Sequence, residues 1–231
     1  LSYSEFSINV IPKVMEAEEY FTEATILKYV VNKFPDKNSN IQSLERLCFL
    51  YEKKTYNDDM LHPNYQKLLD IDPYNLKALR YFKLLYTQNG QWYDLLNVLR
   101  SLMECDSHPH QVFRYAHELA AVLLYHLNRA EEAVEVLERF CIDSPLDTSS
   151  IHFDAYYACS NFQGCLSVLK RNIAKLNESD TGVLYLKMGD IYDRLGDLAQ
   201  AKVAYLKAAE IEPKLLEVSE RLLKITIQNK E

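Results

Sequence analysis

The residues best suited to metal or thiol chemistry in this chain gather once. Cys105, His108, His110 and His117 fall within thirteen positions, and a thiolate with imidazole nitrogens is a donor set that zinc accepts. Their spacing matches no standard ligand pattern, and Ser107-His108-Pro109-His110 reads as a turn between two helical hairpins. Cys and His together also suit a thiol nucleophile, but nothing supplies an oxyanion site or an orienting Asn or Asp at recognisable spacing. The paired acids Glu18-Glu19, Asp58-Asp59 and Glu131-Glu132 stand where helix starts or solvated faces are expected, and carboxylates near a helix N-terminus complement the macrodipole. No glycine-rich phosphate loop of either standard pattern occurs. Seventeen tyrosines offer faces on which nucleic-acid bases could stack, yet Tyr86, Tyr156, Tyr192 and Tyr205 fall on positions expected to fill a core. The expectation is a non-enzyme with no cofactor and no metal.

Composition narrows the classes further. The 231 residues are 48% hydrophobic and 26% charged, with only 5 glycines and 7 prolines, which argues against a turn-rich β fold and against disorder. A formal charge of −7 gives no support to a phosphate-binding role, so nucleic acid is not expected as a partner. The longest apolar stretch, Leu119 to Leu124, is far too short for a bilayer, and no membrane segment is expected within this chain. Five cysteines, Cys48, Cys105, Cys141, Cys159 and Cys165, are odd in number and include no C-x-x-C pair. Free buried thiols in a reducing compartment are expected, hence a cytoplasmic location; the sequon at Asn177-Glu178-Ser179 matters only in a secreted chain. A start at Leu1 rather than Met suggests a piece of something longer.

The elements that would position any site are written as a repeat. The clearest unit has Tyr185, Met188, Gly189 and Tyr192, then Gly196, then Ala201 and Tyr205, then Ala208 and Pro213. Apolar residues at 185, 188, 192 and 195 form one face of a first helix, and those at 198, 201, 205, 208 and 211 one face of a second. Gly189 and Ala201 are small residues, expected where two helix backbones approach, with no long side chain between the unit's own two helices. Leu195-Gly196-Asp197 is the turn, and Pro213 ends the second helix. Weaker copies precede it, and Pro145 stands two 34-residue periods before Pro213. Cys165 fills a slot that alanine fills elsewhere. The predicted units span about 4–37 (atypical, with Pro12 in its first helix), 40–75, 76–109, 114–147, 146–181 and 182–213, with a capping helix over 214–229.

The run from Tyr185 to Pro213 resembles the tetratricopeptide repeat, whose pattern is aromatic-x2-Leu-Gly-x2-Tyr, then Ala-x3-Phe, then Pro, with conservative changes only. The resemblance implies an all-α fold, an α-α superhelix: a right-handed solenoid of about six hairpins with a capping helix, forming one repeat domain over 1–231. A closed helical bundle or a Sel1-type solenoid is the alternative; the 34-residue spacing and the shortage of glycine disfavour both.

In that family a partner lies on a concave face lined by exposed positions of each first helix. Carrying those slots over by register gives Arg46 and Lys53 in the second unit, Lys77 and Arg80 in the third, and Tyr115, Glu118, Val122, Tyr125 and His126 in the fourth. The fifth gives Asp154 and Tyr157, and the sixth Asp190, Asp193 and Arg194. The resulting groove is expected to be basic at its N-terminal end, aromatic in the middle and acidic at its C-terminal end. Chaperone-binding members grip a C-terminal carboxylate with Lys and Asn in two such slots; here the pairs are Arg46 and Leu50, Arg80 and Leu84, Glu118 and Val122, so that clamp is not expected. The function implied is a protein-interaction scaffold that binds a protein or peptide. The alternatives are a regulatory or recruiting domain of a larger enzyme, or a secretion or assembly chaperone. Homo-oligomerisation through the chain's ends is left open.

Overall fold

The computed structural model describes residues 19–33, 36–141, 149–214 and 216–228. Pro12 and the helix expected around it, Pro145, Leu215 and Asn229 lie outside them. Among the described residues the regular structure is helical throughout, and the chain divides into two compact units, Leu1–Ser107 and His108–Glu231.

The first unit contains α1 (Tyr20–Lys33), α2 (Lys37–Lys53), α3 (Leu61–Ile71), α4 (Leu76–Asn89) and α5 (Trp92–Cys105). The second contains α6 (Pro109–Ala121), extended by a π-turn over Val122–His126, then α7 (Ala130–Phe140), α8 (Ser149–Ala158), α9 (Phe162–Ile173), α10 (Gly182–Arg194), α11 (Leu198–Ile211) and α12 (Leu216–Gln228). Successive helices pack as hairpins, α2 on α3, α4 on α5, α6 on α7, α8 on α9 and α10 on α11, and α12 lies against α11.

The hairpins share one way of turning. A residue with positive φ follows the first helix of each: Tyr56 (50°), Gly90 (66°), Asn128 (54°), Ser160 (57°) and Gly196 (76°). In four of them the next residue donates its N–H back across the turn to a tyrosine carbonyl, Asn57 to Tyr51, Gln91 to Tyr86, Asn161 to Tyr156 and Asp197 to Tyr192, at 2.8–3.0 Å. These bonds satisfy carbonyls that the helix end leaves without partners. Side chains of Asp36, Asn75, Asn161 and Asp197 then cap the following helices by accepting an N–H three residues on.

Within α10 and α11 the small residues have the buried places expected of them, with Ala201 at 0% exposure and Gly189 buried. What Gly189 makes room for differs from the expectation. A β-carbon there would lie 2.3 Å from the Tyr205 ring, so the glycine admits a large ring between the unit's own helices. The α8/α9 hairpin uses the inverse arrangement: a β-carbon on Gly164, in the second helix, would lie 2.5 Å from the Tyr156 ring in the first. Around these contacts Cys165, Leu166, Leu169, Met188, Ile191 and Ala204 form one core, and Leu186, Ala208, Val218 and Ile225 join Ala201 and Tyr205 in the next.

Two predictions follow from this packing. Gly189→Ala should cost about 1–3 kcal/mol through overpacking against a ring that cannot withdraw. Gly196→Ala, whose β-carbon would meet nothing within 4 Å, should cost only the left-handed backbone term, about 1 kcal/mol. Urea unfolding of both variants distinguishes them; equal costs would mean that Tyr205 does not occupy the space over Gly189. The second concerns alkali. Burial pushes the Cys48 thiol up to about 12 and those of Cys141 and Cys165 up to about 11, from an ordinary value near 9. Burial and a hydrogen bond to Glu138 likewise raise the Tyr156 phenol to about 12. The native state holds these protons more tightly than the unfolded chain, so their contribution is intact below the unfolded values and is lost as pH rises from about 9 toward 12. Unfolding free energy measured between pH 8 and pH 11 should fall steadily above pH 9.

Candidate partner-binding surface

In the first unit the four basic candidates are engaged within the fold. Glu23 on α1 is 1% exposed, and Arg46 on α2 meets it with two bonds, Nε at 2.7 Å and Nη2 at 3.1 Å, while stacking over Phe49. A buried carboxylate needs such a partner to stay ionised. Lys77 on α4 pairs with Glu45 on α2, and Glu45 also accepts from Asn75 at 2.9 Å. Arg80 donates at 2.8 Å to Asp106, whose side chain is fully buried just after α5. Lys53 pairs with its neighbour Glu52 on the surface at 2.7 Å. The basic N-terminal end expected from the sequence is therefore largely neutralised.

In the second unit two candidates are not on a surface at all. Tyr115 and Val122 are 5% and 4% exposed; seven residues apart, they share a stripe of α6 that faces the interior. Beyond it the helix widens into a π-turn. Leu127 donates its N–H to the Val122 carbonyl at 3.1 Å, five residues back, and the widened turn buries Val122, Leu123 and Leu124 in succession before presenting Tyr125 and His126 outward. Glu118 is half-buried. Tyr125 is 54% exposed, and its hydroxyl donates to Asp154 on α8 at 2.7 Å, tying the end of the α6 extension to the next first helix. Partial burial and this carboxylate raise the phenol to about 12, so it is protonated and donating at neutral pH.

The remaining candidates, Tyr157, Asp190, Asp193 and Arg194, converge. With Phe153, Lys187, Ile191, Arg221 and Lys224 they line an open cleft of about 500 Å³ formed by α8, α10 and α12. Both carboxylates are already satisfied: Asp190 accepts from the Tyr205 hydroxyl at 2.8 Å and from Arg221 at 2.9 Å, and Asp193 pairs with Lys224 at 2.9 Å. The other two cations lie over rings on α8, Lys187 Nζ 5.3 Å from the centre of Phe153 and the Arg194 guanidinium 5.1 Å from that of Tyr157. Phe153 and Tyr157 are stacked one turn apart, and Phe162 meets Tyr157 edge-on. Four cations against two carboxylates make the cleft net basic, which corrects the expectation of an acidic C-terminal end. The reason is α12, which brings Arg221 and Lys224 to acids 31 residues earlier. Sequence reading missed those two, with Lys187 and Phe153. A signal was present: acids at 190 and 193 and bases at 221 and 224 share both spacing and offset.

Among the described residues no group of three His, Cys, Asp or Glu side chains is placed to hold a metal ion, and no helix is long and apolar enough to cross a membrane. Cys105 is half-buried and its thiol is raised, chiefly by desolvation, the opposite of what a thiolate nucleophile needs.

Substitutions at Arg46 and Arg80 should therefore act on stability. Arg46→Ala strands a buried carboxylate and is expected to cost about 3 kcal/mol, and Arg80→Glu, with its partly exposed guanidinium, about 2 kcal/mol. Lys53→Glu should change little. Thermal unfolding of the three variants orders them; an unchanged midpoint for Arg46→Ala would show that the Arg46–Glu23 pair does not bear on stability.

Residues 183–215 match the family model described as tetratricopeptide repeat. No curated protein matches the chain by sequence. Among solved structures, one of Naa15/Naa10 bound to HypK-THB is similar over 95% of this chain with a TM-score of 0.68 at 14% identity; the match covers 33% of that longer chain. YrrB, described as a TPR protein with an unusual peptide-binding site, is similar over 92% of this chain and 97% of its own, with a TM-score of 0.50 at 15% identity. Residues 183–215 match a tetratricopeptide repeat, and the helical fold of the described residues is similar to that of a solved TPR protein.

Proposed function

We propose that this repeat domain, taken to run through residues 1–231, is a protein-interaction module rather than an enzyme, and that it binds a partner polypeptide on the first-helix face of its second unit. The observation that carries the reading is the open cleft in which Lys187 and Arg194 are held over the rings of Phe153 and Tyr157. Stacked on a ring, a long cationic side chain has already lost part of its rotamer freedom, so less is lost on binding. The Tyr157 ring, 38% exposed, is an anchor of the kind that dominates interfaces. Exposed Tyr125, His126 and Asp154 extend the same set of first helices, while the ion-paired Arg46, Lys53, Lys77 and Arg80 are assigned a smaller part. A protein similar in fold, YrrB, is described as having a peptide-binding site, which agrees with a peptide as ligand. The five free cysteines agree with a reducing, cytoplasmic setting, and the charge of −7 with a protein rather than a nucleic-acid partner.

A second reading, a recruiting segment of a larger assembly, draws on the likeness in fold to a third of a much longer chain in a complex.

Affinity capture followed by mass spectrometry, run in parallel on the native protein and on Tyr157→Ala, Arg194→Glu and Lys202→Glu, tests the proposal. Partners should be depleted about tenfold or more by the first two substitutions and retained by the third, which lies on exposed α11. Partners retained by all three would remove this face from consideration.

A further inference from the structure

Charge in the second-unit cleft is unevenly spoken for. Asp190 and Asp193 are matched by Arg221 and Lys224 from α12, so neither is left to repel an incoming anion or to recruit a cation. Lys187 and Arg194 make no ion pair among the described residues; what holds them is a ring each. A cation stacked on a ring face keeps its remaining N–H donors for a ligand, and the arginine plane presents a fork that suits a carboxylate. The two positions are seven apart on α10, so they share a face, with about 10 Å between them along the helix axis at 1.5 Å per residue.

That separation selects among anions. A single phosphate needs its cations to converge within one oxygen cluster, whereas Lys187 and Arg194 stem from backbone positions about 10 Å apart along α10 and each lies over its own ring. Two carboxylates three residues apart on a polyproline-II-like strand lie about 9 Å apart on one side of it, at 3.1 Å rise and three residues per turn. An antiparallel or parallel strand of that kind would set one carboxylate against each cation, with the intervening residues over the Phe153 and Tyr157 rings.

We propose that the cleft binds an extended acidic segment of a partner protein, carrying Asp or Glu at positions i and i+3, with Lys187 and Arg194 as the two anchoring cations. The proposal rests on the reading of this face as the partner-binding surface and adds the chemistry of the ligand to it. Electrostatic complementarity of this exposed kind contributes to specificity and association rate and weakens as salt rises.

The test uses fluorescence anisotropy with short fluorescein-labelled peptides built on a proline-rich backbone, with Glu at every third position, and matched peptides bearing Gln, Lys or phosphoserine there. The Glu peptide should bind the native protein, weaken with added salt, and lose about tenfold or more in affinity to Lys187→Gln/Arg194→Gln. That variant should keep the native unfolding midpoint, since both side chains are exposed and outside the ion-pair network, and Arg194→Lys should retain part of the affinity. Binding of the Gln peptide at equal strength, preference for the Lys peptide, phosphoserine binding without Glu binding, or Glu binding indifferent to the double variant would each overturn the proposal. So would failure of every peptide. Partner capture that still depends on Tyr157 would then leave the surface standing while its acidic ligand falls.

Discussion

The second unit depends on one steric allowance: the Tyr205 ring occupies the space that a β-carbon at position 189 would need. A tyrosine enclosed between two helices must find a partner for its hydroxyl, and Tyr205 finds Asp190, one residue along from the glycine that admits it. That bond orients the carboxylate toward α12, where Arg221 meets the same oxygen. The packing of one hairpin thus sets the charge state of the cleft beside it, because an Asp190 occupied by Arg221 leaves the cleft to its unmatched cations. Tyr156 repeats the logic against Gly164 and sends its hydroxyl to Glu138 on α7, which links its hairpin to the one before.

The same economy governs the first unit by a different route. There the acids Glu23, Glu45 and Asp106 are buried or half-buried and take Arg46, Lys77 and Arg80 as counterions, each pair bridging separate elements. Removing one partner from such a pair leaves an uncompensated charge inside the fold. Basic side chains on the first helices are thereby committed to joining the stack in one unit, whereas in the other two remain over rings, facing outward.

Much of the fold was legible in the sequence because its signals are local. Gly189, Ala201, Gly196 and the apolar spacing around them mark two helices, their turn and their contact within about 34 residues. The role of Gly189 was less legible: a small residue announces close approach but does not say whether a backbone or a ring comes near. The candidate surface was read through register alone, and register fails where geometry changes. The stripe through Tyr115 and Val122 proved to be the buried side of α6, and the π-turn that follows buries Leu123 and Leu124 as well. Charge was the least legible feature, since a residue's sign can be read from the sequence but its counterion lies 23 to 32 residues away in a neighbouring hairpin. Read singly, Asp190 and Asp193 promised an acidic end; with Arg221 and Lys224 beside them the end is basic.

Proton NMR on the folded protein reaches the steric allowance at the centre of this account. The Tyr205 ring stands where a β-carbon of residue 189 would be, so the Gly189 Hα resonances should be ring-current shifted away from ordinary helical values, with strong cross-peaks to the Tyr205 ring protons. Gly189 Hα shifts at ordinary helical values, with no cross-peak to Tyr205, would contradict it.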